Sequence, residues 1–341
     1  MVFGYNNQLR KNEFTIERSN SCLKIDISEK SILSNYGKSV LELLLQDKTT
    51  GCNIIWATKD YEAFGNGYQE SEEITLNAII GFNARIIQPR ITKESSTQVD
   101  RTRDRAEVFT PCWICNDQNN LVDNAWFGRE NVFNFSQGTS WITNTEKIEF
   151  PSDESHTWED YIDARRLEMA CGEAPYLVSR YDVVSGNTIP VIDRIGLLDR
   201  KLRIVNENCD DEEKWLKWTA RAYQSIYGFE FQGDNLLIAR ENLLFTFIDN
   251  LEYKFKRKPE KKELSKIAEI IAWNVWQMDG FTYTIPFGKT EQTNAYLTDD
   301  TSWMTEFWGD VQEAKTTPEC IIKDWRTNTT ESYKSMIEEG K

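Results

Sequence analysis

The chain has 341 residues, of which 40 % are hydrophobic and 12 % aromatic. This composition predicts a folded globular protein with one large domain or two small ones, and excludes a disordered chain. No run of about 18 apolar residues occurs and the first residues are polar, so the sequence predicts no membrane span and a cytoplasmic location. The formal net charge of −15 argues against a wholly basic DNA-binding surface. A local basic groove can still coexist with an acidic exterior.

Seven cysteines at irregular spacing are typical of a reducing compartment. Cys112 and Cys115 form a single C-x-x-C pair, whereas a structural zinc site needs a second pair of ligands. His156 is the only histidine in the chain. The sequence therefore predicts no metal site, and it disfavours a Ser-His or Cys-His nucleophilic triad.

Residues 1–100 predict an N-terminal accessory region that contains both strands and helices. Cys22–Ile27 alternates as a strand does, and Ser31–Leu45 has helical apolar spacing interrupted by Gly37. Asn53–Ala57 predicts a short strand. The segment that follows, residues 97–106, carries three arginines, which are Arg101, Arg103 and Arg105. They could contact phosphate, but a solvated helix with Asp100 and Asp104 as ion-pair partners is the favoured interpretation.

The stretch Ala164–Tyr181 predicts the end of a buried strand, with Leu167 and Met169 inside, a tight turn at Cys171-Gly172 and the start of a helix. Glycine suits such a turn because it adopts turn conformations without penalty and leaves space for a ligand. In doubly wound α/β folds, ligands bind at such turns, at the carboxyl ends of the strands. Upstream, residues 111–126 predict a helix with Ile114, Leu121 and Val122 facing inward.

Two later segments predict further strands of the same sheet. Phe229–Asp234 predicts a strand that contains Glu230, followed by a long helix over Asn235–Leu251. A carboxylate at this position suits the two hydroxyls of a ribose, with Asp234 as the alternative acid and a helix-capping role as the alternative for Glu230. Residues 275–280 predict a short strand followed by Asp279.

These motifs resemble those of adenine-specific DNA methyltransferases, in the order found in the gamma group and in type I modification subunits. The resemblance covers roughly residues 104–276. It rests on Ala106-Glu-Val-Phe-Thr-Pro111, Glu168-Met-Ala-Cys-Gly172, Ala239-Arg-Glu-Asn-Leu243 with the preceding Glu230, and Asp279. It implies an α/β fold, the Rossmann-like class I S-adenosylmethionine methyltransferase fold, over residues 101–341, with residues 1–100 as an N-terminal α+β extension.

The resemblance also implies roles for individual residues in binding S-adenosyl-L-methionine. Phe109, Thr110 and Pro111 would close over the methionine end of the cofactor. Glu168, Ala170, Cys171 and Gly172 would form the first cofactor loop, Glu230 would bind the ribose and Asp279 would lie near the adenine ring. The loop departs from the family pattern, because Glu173 or Ala174 replaces its second glycine and Pro175 follows.

The catalytic signature of the family is an Asp, Asn or Ser followed by Pro-Pro and an aromatic residue, which hold and stack on a flipped adenine. The chain contains no Pro-Pro pair. The nearest segments are residues 284–287 and 320–326. The second is the better positional match, and it makes Asp324 and Trp325 the candidate catalytic acid and aromatic residue.

The resemblance thus predicts an adenine N6 DNA methyltransferase of a restriction–modification or phage system, with DNA as its partner and a specificity subunit or another protein as a further partner. The missing Pro-Pro pair and the charge of −15 support an alternative, a catalytically inactive protein of the same fold. Such a protein would bind a protein partner or mimic DNA. A nucleotide-binding enzyme of another kind is less favoured, because no phosphate loop of the G-x-x-x-x-G-K type occurs.

Overall fold

The computed structural model describes residues 29–93, 110–152, 156–287 and 318–339. The helices in chain order are α1 (Glu29–Tyr36), α2 (Lys38–Leu45), α3 (Leu76–Ile79), α4 (Cys112–Phe127), α5 (Trp158–Asp163), α6 (Leu197–Asn208), α7 (Glu212–Gln224), α8 (Gly233–Phe255), α9 (Lys261–Asn274) and α10 (Tyr333–Glu339). The strands are β1 (Asn134–Gln137), β2 (Ser140–Thr143), β3 (Arg166–Met169), β4 (Ile226–Glu230), β5 (Val275–Gln277), β6 (Ile321–Asp324) and β7 (Thr329–Ser332).

A three-stranded parallel sheet in the order β3-β4-β5 organises the fold. Helices α6 and α7 connect β3 to β4, and α8 and α9 connect β4 to β5. Helical crossovers of this kind return the chain to the same end of the sheet, so successive strands run parallel. Two antiparallel hairpins, β1-β2 and β6-β7, complete the strands of the described residues. The chain is therefore mixed α/β with a parallel sheet, as predicted; its assignment to the Rossmann-like class remains a prediction.

The long helix α8 lies at the centre of the core, and nearly all of its residues are buried. It contacts β4, β5, α2 and α9. Its buried Arg240 donates hydrogen bonds to backbone carbonyls of Val275, at 2.8 Å, and of Leu44, at 2.6 Å. A buried guanidinium needs such acceptors because desolvation without them is costly. Arg240 thereby connects the start of β5 to the end of α2.

Residues 29–93 pack on the same core as the sheet. Apolar side chains of α1 and α2 belong to one buried cluster with those of α8 and α9. The backbone N–H of Gly233 donates to the carbonyl of Trp56 at 2.9 Å, and the Ile55 N–H donates to the Gln277 side chain at 2.8 Å. The boundary predicted at residue 100 lies outside the described residues, as do the predicted strand Cys22–Ile27 and the arginines 101, 103 and 105.

Some predicted elements differ in detail. The helix predicted over Ser31–Leu45 is present as α1 and α2, which are separated at Gly37, where φ is 91°. The strand predicted over Asn53–Ala57 forms only isolated bridges, from Asn53 to Gln46 and from Ile55 to Glu73. None of the described helices is both long and apolar enough to cross a bilayer.

The inward face of α4 is polar, contrary to the prediction. Leu121 is 67 % exposed, and Val122 is also exposed. Asn119 is buried instead and donates to the carbonyls of Tyr176 and Ile195, both at 3.0 Å. Apolar spacing on α4 was a poor guide because buried hydrogen-bond partners from the loop before α6 satisfy a polar face.

The prediction that Leu167 and Met169 are buried is also wrong. Leu167 is 43 % exposed and Met169 69 % exposed, whereas Glu168 between them is buried. β3 lies at the edge of the sheet, and its face with Leu167 and Met169 is only partly covered. No helix follows the turn directly, because residues 172–179 form successive turns and the next helix is α6.

Candidate functional site

The turn after β3 is tightly connected to the end of β4. The backbone N–H of Cys171 donates to the Phe229 carbonyl at 2.8 Å. A side chain added at Gly228 would place its Cβ 3.4 Å from the Cys171 sulfur, an ordinary van der Waals contact, so the turn lies directly against β4. Ala170 and Gly172 both have positive φ, 48° and 54°. Gly228 was not predicted as a strand residue, because a glycine after a helical pattern also indicates a helix end.

The Glu168 side chain stabilises the segment that follows the turn. Its carboxylate accepts the backbone N–H groups of Tyr176, at 3.3 Å, and Leu177, at 3.1 Å. Burial raises the pKa of Glu168 to about 8; the two backbone hydrogen bonds oppose this shift and the nearby Glu230 adds to it. The structure therefore places this acid beneath the loop, where it holds residues 176–177 in position.

Glu230 is the last residue of β4, and its carboxylate lies against the first loop. One oxygen, Oε2, accepts the Gly172 N–H at 2.8 Å, and Oε1 accepts the Gln232 N–H at 3.1 Å. The residue is buried. The structure thus brings the turn after β3 into contact with the acid that ends β4. The two bonded residues, Gly172 and Glu230, are 58 residues apart in the sequence.

Asp279 lies at the same edge of the sheet. Glu230 pairs in register with Gln277, and Asp279 follows two residues later. Its Oδ1 accepts the backbone N–H groups of Phe281, at 2.8 Å, and Thr282, at 3.3 Å. It therefore orders the turn after β5 while remaining half-buried at the carboxyl ends of the strands. The exposed ring of Phe281 is next to it.

The start of α4 packs against residues 181–182, which follow the first loop along the chain. The Cys112 N–H donates to the Asp182 carboxylate at 2.8 Å, and the Cys115 thiol lies 3.6 Å from the Thr110 carbonyl. Thr110 and Pro111 therefore lie where α4 meets residues 176–182, close to the loop; Phe109 is outside the described residues. Burial raises the pKa of both thiols, which keeps them protonated and argues against a reactive cysteine pair.

Asp324 and Trp325 lie at the other end of the sheet. The Asp324 carboxylate pairs with Arg165, the residue before β3, at 3.0 Å. The Trp325 indole N–H donates to Asn274, the residue before β5, at 2.7 Å. Both therefore sit at the amino ends of the strands. The structure does not bring them together with the loop, Glu230 and Asp279.

The loop after β3, Glu230 and Asp279, with Thr110 and Pro111 beside the loop, are called the carboxyl-edge site below. Carboxylates at the carboxyl ends of parallel strands suit a ligand with hydroxyl and amine donors, because they accept hydrogen bonds. No family model, no curated protein and no solved structure matches this chain. The site is therefore interpreted from its own geometry.

Glu168 predicts a pH dependence of stability. Its pKa is about 8 in the folded protein, compared with about 4.3 in an unfolded chain. The folded state thus binds the proton more tightly, so the stabilisation is complete below about pH 4 and is lost as the pH rises through about 8. We expect the free energy of unfolding to fall with pH over this window more steeply in the wild type than in Glu168→Gln. Urea titrations at several pH values measure the free energy of unfolding. An equal pH dependence in the two proteins would contradict the raised pKa of Glu168.

Proposed function

We propose that the carboxyl-edge site binds S-adenosyl-L-methionine and that the chain acts in methylation of the N6 amino group of adenine in DNA. One observation carries the proposal. Residues that the methyltransferase motifs place after three separate strands meet at one edge of a parallel sheet, and the first loop is hydrogen-bonded to the acid of the second strand at 2.8 Å.

Each part of the cofactor has a suitable group in this proposal. The ribose hydroxyls donate to Glu230, which is positioned by its bond to the loop. The turn at Gly172 leaves room for the methionine portion, since no side chain projects there. The adenine amino group donates to Asp279. Glu168 acts indirectly, by holding the backbone of residues 176–177 beneath the loop.

A residue that holds the target adenine is not assigned. The Pro-Pro signature does not occur in the sequence, and Asp324 and Trp325 lie at the amino ends of the strands. The same observations favour a second candidate function, in which the chain binds a protein partner or mimics DNA through its acidic surface without transferring a methyl group. Cofactor binding and methyl transfer therefore need separate tests.

Transfer is tested with S-adenosyl-L-methionine labelled in its methyl group and mixed double-stranded DNA. Label in N6-methyladenine after digestion would support the enzyme. Label in no nucleoside, from a protein that still binds the cofactor, would favour the non-catalytic function. Asp324→Asn is a matched control, because it changes an acid at the far end of the sheet and should leave transfer unchanged.

A further inference from the structure

The edge strand β3 exposes apolar side chains that an isolated chain would be expected to cover. Leu167 and Met169 lie on the same face of the sheet and are 43 % and 69 % exposed. On the neighbouring strands the same face carries Phe229 and Trp276, which are buried against side chains of β6 and α10. Edge strands with exposed apolar residues readily pair with another chain, and proteins usually protect them.

Along its outer edge, β3 pairs with no strand among the described residues. The N–H of Arg166 donates to the Ser225 carbonyl at 2.9 Å, so Arg166 and, two residues later, Glu168 direct their backbone groups towards β4. Leu167 and Met169 therefore direct their N–H and C=O groups away from the sheet. Among the described residues no second strand pairs with them.

A cavity of about 210 Å³ opens beside Leu167. Its apolar walls are Leu167, Tyr227, Trp276, Ile322 and Met336. The cavity is larger than one methionine side chain needs, and an engineered apolar cavity of about 150 Å³ already binds a benzene ring. The surface thus carries a protruding methionine and, two residues earlier on the same strand, an apolar cavity.

We propose that β3 pairs antiparallel with β3 of a second copy of this chain, about a twofold axis at Glu168. This register places Leu167 opposite Met169 of the second copy, and Met169 opposite its Leu167. Because both residues direct their backbone groups outward, each opposed pair exchanges two backbone hydrogen bonds. Met169 of the second copy then lies on the cavity face and covers the opening beside Leu167.

The twofold arrangement favours a second copy over an unrelated partner, because one short strand supplies both halves of the contact. A C2 interface uses the same patch on both subunits, and here the protruding side chain and the cavity belong to one patch. The two Glu168 residues would face each other on the opposite face of the sheet. Their carboxylates are turned towards the backbone of Tyr176 and Leu177 in their own subunits, so they do not oppose this pairing.

Sedimentation velocity of the full chain over a wide concentration range tests the proposal. We expect a concentration-dependent dimer for the wild type and monomers for Leu167→Lys and for Met169→Glu, with unchanged circular dichroism. Leu121→Lys is the matched control, since Leu121 is also an exposed leucine, 67 % exposed, but lies on α4. It should leave the dimer intact. A wild type that is monomeric throughout, or a dimer that survives both β3 substitutions, would overturn the proposal.

A mixing experiment tests the register. In an equal mixture of Leu167→Lys and Met169→Glu, a heterodimer has one opposed Lys–Glu pair and one unchanged Leu–Met pair, and such oppositely charged pairs are favourable across strands. We expect the mixture to regain the dimer that each variant alone has lost. A mixture that stays monomeric overturns the antiparallel pairing. Cofactor binding by the monomeric variants, measured in parallel, separates this result from the outcome for the proposed function.

Discussion

Glu230→Ala should weaken binding of S-adenosyl-L-methionine by about 1.5–3 kcal/mol, the range for a hydrogen bond to a charged group. The expected loss has two sources. The variant removes the carboxylate that would accept the ribose hydroxyls, and it also removes the acceptor of the Gly172 N–H at 2.8 Å. Calorimetric titration of the variant and the wild type gives the difference directly.

Two further variants separate the sources of this loss. Glu230→Gln keeps one oxygen that can accept the Gly172 N–H but removes the charge, so it should retain more of the loop and still bind the cofactor weakly. Asp324→Ala removes an acid from the amino end of the sheet and should leave the affinity unchanged. Wild-type affinity in Glu230→Ala would remove Glu230 from the site.

The largest effect on stability is expected for Arg200→Leu. Arg200 pairs with Asp123 at about 1 % exposure on both side chains, and it also donates to Asn116 at 2.9 Å and to Asn120 at 2.8 Å. Removing one partner of a buried ion pair leaves the other charge uncompensated, which costs about 3–5 kcal/mol. In the part of the chain that the structure describes, Asp123 would keep the hydrogen bond from the Tyr161 hydroxyl, at 2.8 Å.

Urea unfolding measures this loss as a lower transition midpoint. Lys38→Met serves as the comparison, because Lys38 pairs with Glu42 on the surface, where both side chains are at least half exposed. Such a pair is worth roughly 0–1 kcal/mol. An Arg200→Leu variant no less stable than Lys38→Met would show that the buried network does not stabilise the fold.

The sequence predicted the parallel strands and the long helices because their signals are local. The helix predicted over Asn235–Leu251 is present as α8, Gly233–Phe255. The strand predicted over Phe229–Asp234 lies earlier in the chain, as β4 over Ile226–Glu230, so the prediction overlaps it only at Phe229 and Glu230. Glu230 and Asp279 were identified through the resemblance of their segments to methyltransferase motifs, and their roles in cofactor binding remain a prediction. A strand that ends in Glu or Asp before a helix is visible without knowledge of its neighbours.

The remaining features depend on contacts between distant segments. Leu167 and Met169 were expected inside because strand periodicity does not show which strand lies at the sheet edge. Leu121 was expected inside because apolar residues usually form the buried face of a helix. The polar face of α4 is buried instead, by contacts with Arg200, which lies about 80 residues away in the sequence. The link between Gly172 and Glu230 likewise spans 58 residues. Asp324 matched a catalytic position only by its order along the chain. In the structure Cys320, just before β6, lies beside Gln277 at the carboxyl end of β5, and Asp324, at the end of β6, lies beside Arg165 at the amino end of β3.

Calorimetric titration of the wild-type chain with S-adenosyl-L-methionine tests the central claim most directly. If the carboxyl-edge site binds the cofactor, the titration should show one saturable site whose affinity falls by about 1.5–3 kcal/mol in Glu230→Ala and is unchanged in Asp324→Ala. S-adenosyl-L-homocysteine should compete, since it has the same ribose and adenine. A folded wild type that releases no heat with either compound, and whose thermal unfolding neither compound shifts, would contradict cofactor binding and leave the non-catalytic function as the better account of this fold.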